Sequence, residues 1–576
     1  MSTLEIIHRA RGGSDRREDA WYLGAVGVGA VLIVVAAITQ PFNQNEIKQM
    51  APYGSNSYTE ITGGTRQPPL DPLLGALVKH LLGEGQLRQR LVPVLAGIAT
   101  LAVMGLLLRR LQFGAVGAFG LWVMATAPLM VRYSAYTRPY ALPLFLTVLF
   151  VYVVQRWFDE HRSRWLVLTT LVAVALPLAR VPEPTMFLFT TASSLTWLKL
   201  RGRLSGSQAW PPVAVSVTAL CAVGLPLVGG LNSEMGSDGG ATVTTAGFFD
   251  RFPAEVHELV TGFAPLMSAW FPWWPITVLV VGLAFLLPTS RRRLFHSWFL
   301  LPLVVPAVVW VLVYHFLSPY PLDQLPYRPR SLLFFVPAFV FVVVALGSAV
   351  VETRAWPSQL RIGLGALMAA LVLGQLPATA NVLVDNVAPD YGQVADVLTT
   401  DLPNNAVVLY HTPSPAGWWH QPFSARPRYM GNTPYVGSVS RLATSPGHVP
   451  KHGPVYVLML DSECAYSGLC DEAPQSWNED LPGWRVKTRF DRFTLYEPDE
   501  PLSGRAGALR AMLDFADALG PDLGASETFT AAALLKLQGH PNRGKALIRQ
   551  MYADAGPEAA LRIRAYADRL HLNPFT

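Results

Sequence analysis

The sequence predicts a polytopic α-helical membrane protein of about eleven transmembrane helices, followed by a C-terminal α/β plus helical domain outside the membrane. Three observations predict it. Of 576 residues, 51% are apolar and only 15% charged, with a mean hydropathy of +0.30, whereas a soluble chain carries about a quarter charged residues. The apolar residues clump into nearly charge-free stretches of the length that crosses a hydrocarbon core, recurring from residue 21 to residue 380 and then stopping. Basic clusters fall on alternate loops, as cytoplasmic loops require.

Net charge follows the same division. The chain carries 45 Lys and Arg against 39 Asp and Glu, a balance of +6; residues 381–576 hold 17 basic and 21 acidic residues, so the tail is at −4 and residues 1–380 at +10. Positive helix ends explain that excess. The tail has no basic stripe interleaved with aromatics, so nucleic acid is not an expected partner. The composition also excludes a disordered chain.

Taken in order, residues 1–20 are polar and mixed in charge, and Arg9, Arg11, Arg16 and Arg17 place them in the cytoplasm. Residues 21–39 read as a retained first span, since no small-residue cleavage site follows. Further spans are expected at 91–108, 113–131, 139–155, 165–180, 184–198, 211–230, 268–288, 297–314, 331–351 and 362–380. With eleven spans, Arg109 and Arg110, Arg156, Arg162 and Arg164, Lys199, Arg201 and Arg203, Arg291 to Arg293, and Arg354 with Arg361 share the cytoplasmic side. The expected location is therefore the cytoplasmic (inner) membrane, with residues 21–380 as the transmembrane domain and the tail extracytoplasmic. In the tail, residues 381–503 read as α/β, with VVLYHT, PVYVLML and FTLYEP as short strands. Residues 504–576 turn helical, with GPDLG and GHPNRG as breaks. Cys464 and Cys470 bracket the short loop CAYSGLC: a local disulfide or two free thiols, with no zinc pattern.

The opposite face carries the chemistry. A long first outer loop, residues 40–90, opens with QNEIKQM and continues through GGTRQPPLDPLL into LLGALVKHLL, whose apolar spacing fits a helix lying along the membrane surface. Glu46 sits just beyond the first span, where a carboxylate can act as a general base; it can equally be a solvated loop acid paired with Lys48 or Arg66. Arg132 and Arg138, in VRYSAYTRPY, and Arg328 and Arg330, in LDQLPYRPR, lie where positive charge is disfavoured, and anion binding accounts for them. Snorkelling to headgroups is the competing reading. Tyr133, Tyr136 and Tyr140 fit an interfacial belt, with Tyr136 also a candidate substrate contact. Asp71, before Pro72, fits a helix cap. Glu183, in RVPEPT, either contacts an acceptor or pairs with Arg180.

Together the stretches QNEIKQM, RQPPLDPLLGAL and VRYSAYTRPYALPLFL, in this order among the spans, resemble the membrane-embedded GT-C glycosyltransferases, in particular their protein-mannosyltransferase-like and aminoarabinose-transferase-like branch. The resemblance implies transfer of a sugar from a polyprenyl-phosphate carrier to a glycan, lipid or protein acceptor of the cell envelope at the outer membrane face. It places Glu46 at the second member of the family's acidic pair, with Asn45 standing where the first acid belongs, so Glu60 or Asp71 can substitute. Thr137 likewise stands where an acid is usual. A divalent metal near the acidic loop is implied for some members, although no ligand cluster here demands one. The chemistry fits these parts: one carboxylate deprotonates the attacking hydroxyl, and cations hold the departing lipid phosphate. Arg132, Arg138, Arg328 and Arg330 are suited to the second task, with Arg66 and His80 in reserve. The competing functions are a lipid-linked sugar transporter or flippase, which the lack of a repeat between halves disfavours, and an inactive GT-C-like scaffold marked by Asn45.

Overall fold

A computed structural model of the chain describes residues 16–42, 46, 49–63, 68–83, 85–227, 281–288, 290, 291, 294, 297–306, 333–352, 358–384, 391–411, 435–438, 446–460, 462–464, 470–472, 481–490, 493–523 and 525–554, with 563, 564, 567 and 572. Two compact units are formed, Met1–Gln40 with Pro52–Asp385, and Pro41–Ala51 with Asn386–Thr576.

The first unit is helical. Its elements are α1 (Arg16–Thr39), α2 (Tyr58–Gly63), α3 (Leu70–Leu82), α4 (Gln86–Gln89), α5 (Leu91–Arg110), α6 (Gly114–Ala125), α7 (Pro128–Ser134), α8 (Ala141–Glu160), α9 (Ser163–Ala179), α10 (Pro182–Leu200), α11 (Gly206–Ala219), α12 (Phe335–Glu352) and α13 (Ser358–Val384). Among the described residues, α1, α5, α8 and α11 with its continuation to Leu227 are long and apolar enough to cross a membrane, and the bent pair α6–α7 adds a fifth. Shorter apolar helices occupy Ser163–Ala179, Phe335–Ala349 and Ala369–Val384. The spans expected at 268–288 and 297–314 lie partly outside the described residues.

The span expected at 113–131 is not one helix. Pro128 forces Ala127 into an extended conformation (φ −69°, ψ 124°), and α6 and α7 bend by 59° there. The carbonyl of Thr126, freed at the break, accepts a hydrogen bond from the Thr379 hydroxyl of α13 at 2.6 Å. In an apolar surrounding such a carbonyl must find a protein donor, so the break and α13 are fixed to each other. Close helix approach then sets α7 against α5. A Cβ at Gly97 would lie 2.3 Å from both Cβ and Oγ of Ser134, so only glycine lets these backbones meet.

One end of the bundle is tied by ions. Arg109 pairs with Asp19, Arg110 with Asp159 and Glu160, and Arg156 and Arg164 with Glu160. The indole of Trp165 also donates to Glu160, and the Arg156 guanidinium lies 4.4 Å over its ring. These pairs join α1, α5, α8 and α9 at the ends where the sequence gathers its arginines. The N-terminus of α5 and the C-termini of α1, α7 and α9 therefore share the other end.

The second unit is α/β, as its strand-like runs predict. Helix α14 (Tyr391–Asp401) precedes β1 (Val407–His411), β2 (Tyr435–Ser438), β3 (Val455–Leu460), β4 (Ser462–Cys464), β5 (Cys470–Glu472), β6 (Trp484–Phe490) and β7 (Phe493–Pro498). A five-stranded sheet runs β2-β1-β3-β7-β6, parallel through β2, β1 and β3 and antiparallel beyond. Alternation along β1 explains its double cover. Val408 and Tyr410 pack with Val394 and Leu398 of α14 and with Leu402 just beyond it, while Val407 and Leu409 pack with Met512 and Phe515 of α15 (Gly504–Leu523). Helices α16 (Ala525–Leu537) and α17 (Pro541–Asp554) continue as a small array, packed through Phe529, Ile548 and Met551. Phe42, from the segment after α1, packs on the α14 side of the sheet. That segment, expected to belong wholly to the first outer loop, groups with the tail.

Two expectations follow. Gly97→Ala should destabilise the detergent-solubilised protein by about 1–3 kcal/mol, read as a lowered unfolding temperature, because α7 must move to admit a methyl group. In the second unit, burial pushes the Glu497 carboxyl up, but hydrogen bonds from Lys487 and Arg485 and their charges outweigh it and hold the group below its ordinary value. A lowered folded-state pKa contributes stability above the ordinary carboxylate range and loses it as pH falls. Glu497→Gln should therefore cost at most about 1 kcal/mol at pH 7, with the difference closing as the pH drops below 4.5.

Candidate functional site

At the end opposite the ion belt, polar groups are buried rather than solvated. Arg90, at the start of α5 and 1% exposed, donates through Nη1 to the carbonyls of Ala37 at 3.0 Å and Gln40 at 2.6 Å. These carbonyls close α1, where the helix dipole leaves negative charge and no intrahelical donor remains. The side-chain amide of Gln86 also donates to the Gln40 carbonyl. Beside Arg90, the Gln89 carbonyl accepts from the Thr137 hydroxyl at 3.3 Å. This bond ties the loop 135–140 to the α4–α5 junction.

That loop connects α7 to α8 and carries the RYSAYTRPY motif. Tyr133, Tyr136 and Tyr140 do not form an interfacial belt: they are 2%, 8% and 3% exposed and pack on one another. Tyr136 stacks on Tyr140 with centroids 6.0 Å apart, and Tyr133 meets both edge-on at 6.1 and 5.3 Å. Such pairs contribute about 0.5–1.5 kcal/mol each beyond their buried area. Arg132, in the last turn of α7, and Arg138, within the loop, are both half-buried. The tyrosine cluster stiffens the segment that carries the two arginines.

Arg180, which ends α9, joins this cluster to α10. Its guanidinium lies 4.8 Å over the Tyr140 ring, its Nη1 donates to the Pro139 carbonyl at 3.5 Å, and its Nε donates to Glu183 Oε2 at 2.5 Å. The two expected alternatives for Glu183 thus resolve into a pair with Arg180, with Glu183 1% exposed. The structure brings together Tyr136, Thr137, Arg138, Arg180 and Glu183. Arg90 and Arg180 are its further contributors; a lone arginine at the mouth of an apolar helix is the signal that identifies both.

The other expected residues fall elsewhere. Asp71 is 3% exposed within the first turn of α3 and is not its cap, a position held by Pro69. Glu60 is exposed and accepts from the Ser55 hydroxyl, and exposed His80 lies 3.3 Å from the Ser55 carbonyl, so these two share a surface turn. Glu46 is fully buried, in a segment grouped with the second unit. Asn45, Arg66, Arg328 and Arg330 lie outside the described residues. Among the described residues, no group of three or more His, Cys, Asp or Glu side chains could hold a metal ion. Removing the buried cation at the α1–α5 junction should be felt strongly: Arg90→Met takes the Arg90 donor from the buried Ala37 carbonyl and leaves Gln40 with Gln86 alone, with an expected loss of roughly 2–3 kcal/mol, measurable by thermal unfolding in detergent.

In sequence, no family model and no curated protein matches the chain. In backbone course it is similar to ArnT from Cupriavidus metallidurans bound to undecaprenyl phosphate, at 14% identity and a TM-score of 0.44, covering 83% of this chain and 98% of that one. It is similar to the archaeal oligosaccharyltransferase AglB from Archaeoglobus fulgidus, in complex with an inhibitory peptide and a dolichol-phosphate, at 12% identity and a TM-score of 0.47, covering 95% and 83%. A third likeness, to the arabinofuranosyltransferase AftD from Mycobacteria, has 12% identity and a TM-score of 0.37 and covers 84% of this chain and 42% of AftD. The three are GT-C glycosyltransferases, the superfamily that the sequence motifs resemble. At these identities and scores, none of the likenesses assigns a function to this chain.

Proposed function

We propose that the chain is an integral-membrane glycosyltransferase that moves a sugar from a polyprenyl-phosphate carrier to a cell-envelope acceptor at the outer face of the cytoplasmic membrane. The observation that carries the reading is the half-buried Arg138 in a loop locked from three sides, by Thr137 to Gln89, by the stacked tyrosines, and by Arg180 at Pro139. A loop held this way presents its arginine from a fixed backbone, which lowers the cost of ordering it around a phosphate. Its position at the end opposite the arginine belt also supports the orientation, because the belt marks the cytoplasmic side. The lipid in this reading is of the kind held by the ArnT and AglB structures.

In the proposed reaction, the acceptor hydroxyl attacks the anomeric carbon as the bond to the lipid phosphate breaks, with inversion. The attacking proton passes to a carboxylate, for which the sequence motif nominates Glu46, and the departing phosphate keeps the electron pair. Arg132 and Arg138, with Arg328 and Arg330 as further members, neutralise the charge that develops on it. A lipid phosphate leaves as an anion, so no general acid is required.

The reading is tested with the full chain in nanodiscs, given polyprenyl-phosphate arabinose, mannose and galactose and a panel of envelope acceptors. Sugar transfer is expected, with Arg138→Ala lowering kcat/KM by about 10²-fold or more and Glu46→Gln lowering kcat by about 10²–10⁴-fold. Turnover that survives Glu46→Gln unchanged removes that residue from the mechanism. Donor crossing a liposome membrane without transfer would establish a transporter instead.

The same orientation exposes the tail to an oxidising compartment. Cys464 and Cys470 stand directly opposite each other in the antiparallel pair β4–β5. Residues so placed have Cα atoms about 4.5–5.5 Å apart, within the span a disulfide bridges. A Cys464–Cys470 disulfide belongs to the proposal: peptide mapping without reductant should recover the two cysteines linked, and alkylation of both in the protein as isolated from membranes would refute it.

A further inference from the structure

The Glu183 carboxylate has one oxygen accounted for and one left over. Oε2 is held by Arg180 at 2.5 Å, while Oε1 is buried without a hydrogen-bond partner among the described residues. A carboxylate in the first turn of a helix ordinarily turns its oxygens onto that turn's free amides. Here the sequence V-P-E-P-T withholds them. Pro182 and Pro184, at the first and third helical positions, have no N–H, and the Thr185 amide is committed to the Val181 carbonyl at 3.1 Å. Among the described residues Arg180 is thus the single donor to Glu183, and Oε1 is left to be satisfied by another group. An unsatisfied buried acceptor of this kind is destabilising, and its persistence beside a candidate binding loop points to a ligand.

The chemistry of that ligand follows from the surroundings. Arg180 balances the carboxylate's charge, so a second cation is not called for; a neutral donor is. Arg180 also touches Pro139 and Tyr140, the residues that follow Arg138, which puts Glu183 next to the proposed phosphate clamp. We propose that Glu183 Oε1 accepts a hydrogen bond from a hydroxyl of the sugar carried by the lipid phosphate, making Glu183 the residue that recognises the donor sugar. This rests on the lipid-phosphate reading above.

The test measures binding of two probes to the full chain in nanodiscs: undecaprenyl phosphate, and undecaprenyl phosphate carrying arabinose, mannose or galactose. The wild type is expected to bind one glycosylated lipid at least about tenfold more tightly than the bare one. In Glu183→Gln, an isostere that places an amide donor where Oε1 stands or at Oε2, the ratio of the two affinities should fall to about one. A deoxy series of the preferred sugar supplies the second readout. One hydroxyl deletion should remove the increment in the wild type and have no further effect in the variant, as coupled groups require. Equal affinity for bare and glycosylated lipids in the wild type overturns the proposal and leaves a trapped water as the partner of Oε1. Equal weakening of both lipids by Glu183→Gln, or a wild-type deoxy series in which no single hydroxyl matters, also overturns it. Failure of the wild type to bind undecaprenyl phosphate at all would instead sink the phosphate-clamp reading, and this one with it.

Discussion

Arg90 sets the terms for the rest of the first unit. It is a cation buried to 1% exposure, and what it satisfies is backbone: the last carbonyls of the first helix, which have no intrahelical donors. In an apolar surrounding, an open carbonyl or an unpaired guanidinium is prohibitive. The junction of α1 with α5 is therefore over-determined, and the loop that follows α7 is hung from the same place through Thr137 and Gln89. The same rule operates at the α6–α7 break, where Thr379 reaches the freed Thr126 carbonyl.

From that anchoring the site inherits rigidity. Three tyrosines that the sequence reading places in an interfacial belt are instead packed together. They stiffen the segment that carries Arg138 and seat Arg180 over Tyr140, where it pairs with Glu183. Elsewhere in the bundle, charges are paired in the partly exposed belt of Arg110, Arg156, Arg164 and Glu160, where each pair contributes little alone. The two ends of the unit thus use charge differently: one meets water, and the other holds polar groups inside protein.

How far this was legible depended on the length scale. Apolar runs gave α1, α5, α8 and α9 and the basic loops between them, because crossing a membrane imposes its pattern on about twenty consecutive residues. The strands VVLYH, VYVLML and FTLYEP showed for a similar reason, each being a short β-rich run whose burial on two faces fills every position. The break at Ala127 was hidden, since Pro128 lies within an apolar stretch that reads as continuous. Strand β6, WRVKTRF, was also missed: it lies at the sheet edge, and its exposed Arg485 and partly exposed Lys487 look like a loop. At the site, Arg138 and Glu183 announced themselves as charges in the wrong place, but the meeting of residues 40, 90, 137 and 180 is a matter of tertiary contact that no local pattern encodes. The grouping of the Glu46 segment with the tail is of the same kind.

The central claim is that the loop carrying Arg138 is a seat for a lipid-borne phosphate. It is tested most directly by determining the structure of the full chain in nanodiscs with undecaprenyl phosphate present. Density for the phosphate is expected against the Arg138 guanidinium, with Tyr136, Tyr140 and Arg180 keeping their present arrangement. Phosphate bound at the arginine belt of α5, α8 and α9, with the Arg138 side chain turned away from any lipid, would contradict it.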